Sequence, residues 1–223
     1  MRLGRRATFA VAAVWMIMPL GPGAAAQSPD ATASAIPAAM EACELHVWPS
    51  TGLRSVFHGW LHGGIVDGAV TGRDGYPEVP PEPLVTARQI ALLETAGLDN
   101  LLGRPGYAVT IHPAPLTSVK IRQSRTRLIA SQSNCYAELI LEDAFFQEDF
   151  VNGGSLKMLI RFRDFGPGEG PMQQFGTWTR TPLKLFPPKE PSQYQAAVAE
   201  LEAAFRANLA EFAAAREGGK KRK

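Results

Sequence analysis

The amino-acid sequence predicts an α+β fold, in which a mainly antiparallel sheet is covered by a long C-terminal helix and one or two shorter helices. Two neighbouring segments within 135–164 alternate apolar and polar residues, which is typical of half-buried strands. The segment 193–216 instead places apolar residues at helical spacing. Because 223 residues can bury one sizeable core and contain no internal repeat, we expect a single α+β domain over 43–217.

The two alternating segments predict an antiparallel hairpin with a glycine-containing turn. The alternation places Leu141 opposite Phe162 on the core side of the sheet, and Glu142 opposite Arg161 on the outer side. Phe145 is expected on the core side as well. The carboxylates of the outer side therefore have arginines as cross-strand neighbours.

Both predicted helices carry start signals. Ser192 and Gln195 form a capping-box pattern before the C-terminal helix, and Thr86 with Gln89 forms the same pattern before a second helix that ends at the break over 103–105. The C-terminal helix has one apolar face, which we expect to pack on the sheet. The residues of this face are Tyr194, Val198, Leu201, Phe205, Leu209 and Phe212.

The remaining segments predict short strands and long loops. Strands are expected over 107–112 and over 126–131. A Gly- and Pro-rich loop is expected over 63–83, and the segment 165–186 also has few strand or helix signals.

The first 26 residues predict a cleaved export signal. Basic residues precede an unbroken apolar run over 7–20, and small residues then lead to Ala26, after which we expect cleavage. The apolar run is shorter than the roughly 20 residues that span a bilayer, which argues against a retained membrane anchor. A lipoprotein would need a cysteine at the cleavage point, whereas the first cysteine is Cys43. Residues 27–42 lack periodicity and predict a flexible leader, so the mature protein is expected in the periplasm or outside the cell.

The positive charge of the chain lies mostly at its two ends. The sequence has 23 Lys and Arg residues and 21 Asp and Glu residues, for a net charge of +2. Three of the arginines belong to the predicted signal, and four basic residues belong to a predicted disordered tail over 218–223. The folded part therefore has an excess of acidic residues, which argues against a nucleic-acid partner.

Cys43 and Cys135 are the two cysteines of the sequence, and each opens a strand-like segment. If these strands are neighbours with their starting ends together, the two thiols can form a disulfide, as an oxidising compartment allows. Two buried free thiols are the alternative.

His58 and His62 are the candidate metal ligands of the sequence. On a helix they would lie one turn apart and could share a zinc ion, with His46, Asp67 or Asp74 as a third ligand. A metal-dependent hydrolase is therefore an alternative function. The pair lacks an intervening glutamate that would act as a base, and neighbouring glycines weaken the helix. The other interpretation is a packed aromatic helix end without a metal.

The sequence favours binding over catalysis, because it has no Gly-x-Ser-x-Gly elbow and no Ser-x-x-Lys motif. The loops over 63–83 and 165–186 form the expected recognition surface, with Phe165, Trp178 and Arg180 as candidate binding residues. In the alternative, these side chains only attach the loop to the core. The expected function is a non-catalytic periplasmic or secreted binding or accessory module of the bacterial envelope. Its expected partner is an envelope protein or a small ligand, with no cofactor and no transmembrane anchor after cleavage.

The order of these elements resembles that of small α+β domains of bacterial envelope-assembly proteins. The resemblance covers about 43–215, has no diagnostic motif and implies no functional residue.

Overall fold

The computed structural model describes residues 42–58, 65–67, 83–149 and 153–220, with side chains for most of them. Seven strands and four α-helices form within these ranges. In chain order they are β1 (Glu44–Trp48), β2 (Leu53–His58), β3 (Ile65–Asp67), α1 (Thr86–Glu94), α2 (Leu98–Leu101), β4 (Ala108–Ile111), α3 (Ser118–Gln123), β5 (Tyr136–Asp149), β6 (Gly153–Gly166), β7 (Gln173–Pro182) and α4 (Tyr194–Lys220). A single 3₁₀ turn over Pro191–Gln193 leads into α4.

The seven strands form one mixed sheet around β5. Strands β1 and β2 follow one another along one edge of β5, and both run parallel to it. On the other edge β6 runs antiparallel to β5, and β7 runs antiparallel to β6. Strand β4 extends the sheet beyond β1 in parallel, while β3 pairs antiparallel with β2. The α+β class is confirmed, and the longest pairings are antiparallel as predicted. The sheet is mixed because helices separate β1 from β5 in the chain, which permits parallel pairing.

A β-bulge at Glu142 changes the register of the β5–β6 hairpin. Leu139, not Leu141, lies opposite Phe162, and the pairing shifts by one residue between Leu141 and Asp143. A single extra residue turns every following side chain to the other face of the sheet. Phe146 is therefore buried in the core, and the prediction that Phe145 points to the core is wrong.

The main core lies between one face of the sheet and the helices α1, α2 and α4. The long C-terminal helix is confirmed, and Leu201, Phe205, Leu209 and Phe212 of its predicted apolar face are buried. The helix continues through Gly218 to Lys220, beyond its predicted end and into the predicted tail. Residues 221–223 of that tail lie outside the described residues.

Helix α1 begins at Thr86 as predicted, but not by the predicted capping box. The Gln89 side chain is fully buried, accepts a hydrogen bond from the Ser50 backbone N–H at 3.0 Å and donates to the Leu84 carbonyl at 2.9 Å. Gln89 therefore attaches α1 to the loop between β1 and β2. The predicted single helix is also interrupted at Gly97, whose φ of 57° lies in the left-handed region that glycine tolerates.

Three segments differ from their predicted structure. Residues 126–131 are irregular and not a strand, because side chains such as Arg127 bond their backbone groups. Strand β7 occupies 10 residues in the middle of the predicted loop over 165–186, and the alternation of Trp178 and Arg180 with buried Thr179 explains it. His58 ends a strand and not a helix.

The predicted disulfide between Cys43 and Cys135 is present, with a Cα–Cα distance of 4.8 Å. Glu44 of β1 pairs with Tyr136 of β5, so the two parallel strands start side by side. This arrangement brings the cysteines together as the sequence analysis requires, and it is consistent with folding in an oxidising compartment.

Among the described helices, none is both long and apolar enough to cross a membrane.

Candidate functional site

The candidate site lies on the outer face of the sheet, which is opposite α1, α2 and α4. One half of this face is packed against α3 and the irregular segment 124–134, with Trp48, Ile121 and Ile140 as a small second core. On the other half, beyond the bulge, polar and aromatic side chains are partly exposed.

Four side chains of the exposed half form what we call the Trp178 patch, namely Phe145, Lys157, Trp178 and Arg180. The sheet places Phe145, Lys157 and Arg180 in one cross-strand row. Trp178 precedes Arg180 by two residues in β7, so both side chains lie on the same face of the sheet. Trp178 is 46% exposed, and its ring meets the edge of Phe145 with a centroid distance of 5.3 Å.

Lys157 lies over both rings of the Trp178 patch. Its Nζ is 5.7 Å from the Phe145 ring centroid and 5.6 Å from that of Trp178, which are cation–π distances. Arg180 donates from Nε to the Ser155 hydroxyl at 3.1 Å, and its backbone N–H donates to Glu211 at 3.2 Å. Lys157 therefore lies over the exposed indole ring, while the Arg180 side chain is bonded to Ser155 in the same part of the sheet.

Phe165 lies apart from Trp178 and Arg180. It is fully buried at the end of β6, where its ring meets Tyr136 edge-on at 5.4 Å. The sequence pattern treats 165–186 as one loop, whereas two strands place these side chains in different environments. Phe145 and Lys157 are the members of the patch that sequence reasoning missed. The bulge at Glu142 reverses the expected face of Phe145, and the resulting register places Phe145 opposite Lys157 of β6.

The packed half of the outer face contains a buried ion pair between Glu138, which is 0% exposed, and Arg163, which is 5% exposed. Arg163 donates from Nε to Glu138 at 2.7 Å and from Nη1 to the Ser124 carbonyl at 2.9 Å. Glu138 also accepts from the Tyr136 hydroxyl at 2.9 Å and from the Leu128 N–H at 2.7 Å. This network attaches the segment 124–128 to the sheet.

Burial, and then the neighbouring Glu138 charge, raise the pKa of Tyr136 far above its usual range. The phenol therefore stays protonated and donates its hydrogen to Glu138. Arg161 forms an ion pair with Glu142 further along the sheet. The expected arginine neighbours of the outer carboxylates are thus both present.

Arg127 supports the same irregular segment from the other side. Its guanidinium donates to the carbonyls of Ser131 at 2.8 Å and Ser133 at 2.9 Å, and to those of Gly166 at 2.7 Å and Gly168 at 3.2 Å. It also lies 4.9 Å from the centroid of the Tyr136 ring. A cavity of about 460 Å³ lies between the two loops that Arg127 joins. The four hydrogen bonds of Arg127 to these carbonyls join the two loops.

His46 and His112 form a stacked pair beside Trp48. Their ring nitrogens Nδ1 and Nε2 lie 3.0 Å apart, and the His112 ring stacks on Trp48 with a centroid distance of 4.3 Å. His46 also lies 3.2 Å from Glu44. Burial, with a smaller contribution from the His46 charge, lowers the pKa of His112. No sequence pattern pointed to His112, because strand pairing brings it to β1 from a distance.

The predicted zinc pair is not supported by the local backbone. His58 lies on β2, so the helical spacing on which the pair depends does not apply to it. His62 and Asp74 lie outside the described residues, and Asp67 ends β3. Within the parts of the chain that the structure describes, no group of three His, Cys, Asp or Glu residues could hold a metal ion.

The sequence matches no protein family model and no curated protein, but the fold has matches among solved structures. Protein XCC0632 from Xanthomonas campestris, which is described with the family DUF330, is 10% identical with a TM-score of 0.39, over 78% of this chain and 83% of that chain. The hypothetical protein CT253 from Chlamydia trachomatis is 14% identical with a TM-score of 0.40, over 79% of this chain and 97% of that chain.

Proposed function

We propose that the protein is an exported, non-catalytic binding module that recognises a partner protein of the bacterial envelope through the Trp178 patch. The observation that carries this proposal is the exposed indole of Trp178, held against Phe145 and beside Lys157 on the outer face of the sheet. Tryptophan and arginine are enriched among the binding hot spots of protein interfaces.

Two acidic side chains of the outer face form ion pairs within the fold, which favours a binding role over catalysis. Glu138 and Arg163 neutralise each other in the packed half, and Glu142 pairs with Arg161. Such pairs orient strands and loops, because each charge is already satisfied within the fold.

The chemistry of the Trp178 patch favours an acidic segment that also carries an apolar side chain. Lys157 and Arg180 are two positive charges within one cross-strand row. The exposed ring of Trp178 adds an apolar surface next to Lys157. A carboxylate of the partner would approach Lys157 while its apolar neighbour covers the indole.

A zero-length carbodiimide crosslinker tests this proposal, because it joins lysine amines only to carboxylates in direct contact. We expect crosslinks from Lys157 to Asp or Glu residues of one partner in the envelope fraction, identified by mass spectrometry. Trp178→Ala should remove them. Lys184, which is exposed after β7, provides the internal control. Crosslinks that persist in Trp178→Ala, or that involve Lys184 as strongly as Lys157, would contradict the proposed surface.

Export is the second part of the proposal. The basic and apolar order of residues 1–26 supports it, and so does the disulfide between Cys43 and Cys135. Intact mass of the protein purified from its native cells should correspond to a chain that begins at Gln27. A full-length chain that retains Met1 would contradict export by this route.

A further inference from the structure

A groove with arginines on its walls lies beside the Trp178 patch, between α3 with its following turn and the strands β6 and β7. Its volume is about 300 Å³. Four arginines contribute to its lining, together with the polar side chains of Ser124 and Gln174. These arginines are Arg122, Arg125, Arg161 and Arg163.

Two of the four arginines have their charge balanced within the fold. Arg163 forms the buried pair with Glu138, and Arg161 pairs with Glu142. Arg122 and Arg125 are exposed, and neither forms an ion pair with a described residue. The groove therefore presents an excess of two positive charges.

Gly176 keeps the floor of the groove open. The side chain of Arg161 lies directly over this residue, and a Cβ added at Gly176 would meet Arg161 Cγ at 3.3 Å and Nη1 at 3.6 Å. The missing side chain thus leaves room for the Arg161 side chain against β7, while Arg122 and Arg125 line the groove from α3 and the turn after it.

We propose that this groove binds the dianion of a phosphate monoester. Guanidinium groups bind phosphate oxygens through paired N–H donors, and a doubly charged phosphate matches the two unbalanced arginines. The groove holds the volume of on the order of ten water molecules, which is room for a phosphate group and a few attached atoms. The site uses none of the four residues of the Trp178 patch, so it stands independently of the proposed partner surface.

Titration calorimetry tests the proposal with two probes that carry the same phosphate chemistry. Glycerol 3-phosphate represents a soluble ligand, and vesicles of phosphatidylcholine with or without phosphatidic acid represent a lipid headgroup. The mature protein is compared with Arg122→Gln/Arg125→Gln and with the control Arg206→Gln, which removes an exposed charge of α4. Because both groove residues are exposed, the double variant should fold.

We expect binding of at least one probe, weakened roughly tenfold or more in the double variant and unchanged in the control. Affinity should also fall between pH 7.5 and pH 5, because the second pKa of a phosphate monoester is about 6. Variant-dependent binding of glycerol 3-phosphate identifies a soluble ligand, and variant-dependent binding of the phosphatidic acid vesicles alone identifies a headgroup. Equal affinity in the double variant, or no binding of either probe, overturns the proposal, whatever the crosslinking of Lys157 shows.

Discussion

Removing Arg163 should destabilise the protein strongly, because it leaves the Glu138 carboxylate buried without its cation. Glu138 is 0% exposed and would keep only the Tyr136 hydroxyl and the Leu128 N–H as donors. Breaking a buried ion pair by removing one partner costs about 3–5 kcal/mol. For a domain of this size each kcal/mol lowers Tm by roughly 2–4 °C, so Arg163→Met should lower it by roughly 6–20 °C.

A double variant separates the cost of the stranded charge from the cost of lost packing. Glu138→Gln/Arg163→Met removes both charges but keeps a carbonyl oxygen that can accept from Tyr136 and Leu128. We expect it to be more stable than Arg163→Met alone. Urea denaturation of the oxidised protein gives the free energies of unfolding, with Arg206→Met as an exposed control.

A cost below about 1 kcal/mol for Arg163→Met would contradict this prediction, since a buried, unpaired carboxylate destabilises a fold by more than that. A cost of the double variant equal to the sum of the costs of Arg163→Met and Glu138→Gln, each measured alone, would also contradict it. In that case the two side chains would contribute independently, and the network would not be a coupled pair.

Three further predictions follow from other parts of the fold. Reducing or replacing the disulfide, as in Cys43→Ser/Cys135→Ser, should cost about 2–5 kcal/mol in urea denaturation because the bridge closes a segment with a sequence separation of 92; a cost near zero would mean that the bridge does not constrain the unfolded chain. Because the pKa of His112 is lowered in the folded state, the unfolded chain binds more protons near this pKa. The free energy of unfolding should therefore fall as the pH drops from about 6.5 through the lowered pKa. His112→Gln should reduce this dependence of stability on pH, and an unchanged dependence would exclude His112 as its source. Phe146→Ala should cost roughly 3–5 kcal/mol in urea denaturation and Phe145→Ala clearly less; the reverse order would place the wrong residue in the core and contradict the bulge at Glu142.

The sequence was sufficient for the elements whose signals are local and regular. Helix α4, the hairpin of β5 and β6, and the short strand β4 follow from periodicity alone. The disulfide needed one more assumption, namely that the strands after Cys43 and Cys135 start side by side. Strand β7 was less visible, because Gly176 and Pro182 interrupt a pattern that otherwise alternates.

The bulge explains why the candidate site was only partly predictable. Aromatic and basic composition was enough to select Trp178 and Arg180. A prediction from alternation assumes that every second side chain lies on the same face. The bulge at Glu142 breaks this rule by one residue, so the prediction placed Phe145 on the wrong face. The stacked pair of His46 and His112 depends on parallel pairing between distant segments, and no local pattern contains that information.

The same bulge also accounts for the division of the outer face into two halves. Before Glu142, the outward side chains of β5 are Tyr136, Glu138 and Ile140. The segment 124–134 and α3 pack on this part of the sheet and bury them. After Glu142, the first large outward side chain is Phe145, and it supports the exposed Trp178 ring. If β5 instead alternated regularly through Glu142, Phe145 would join the core and Phe146 would face outward. The inserted Glu142 also forms the ion pair with Arg161, which is one of the four arginines that line the groove.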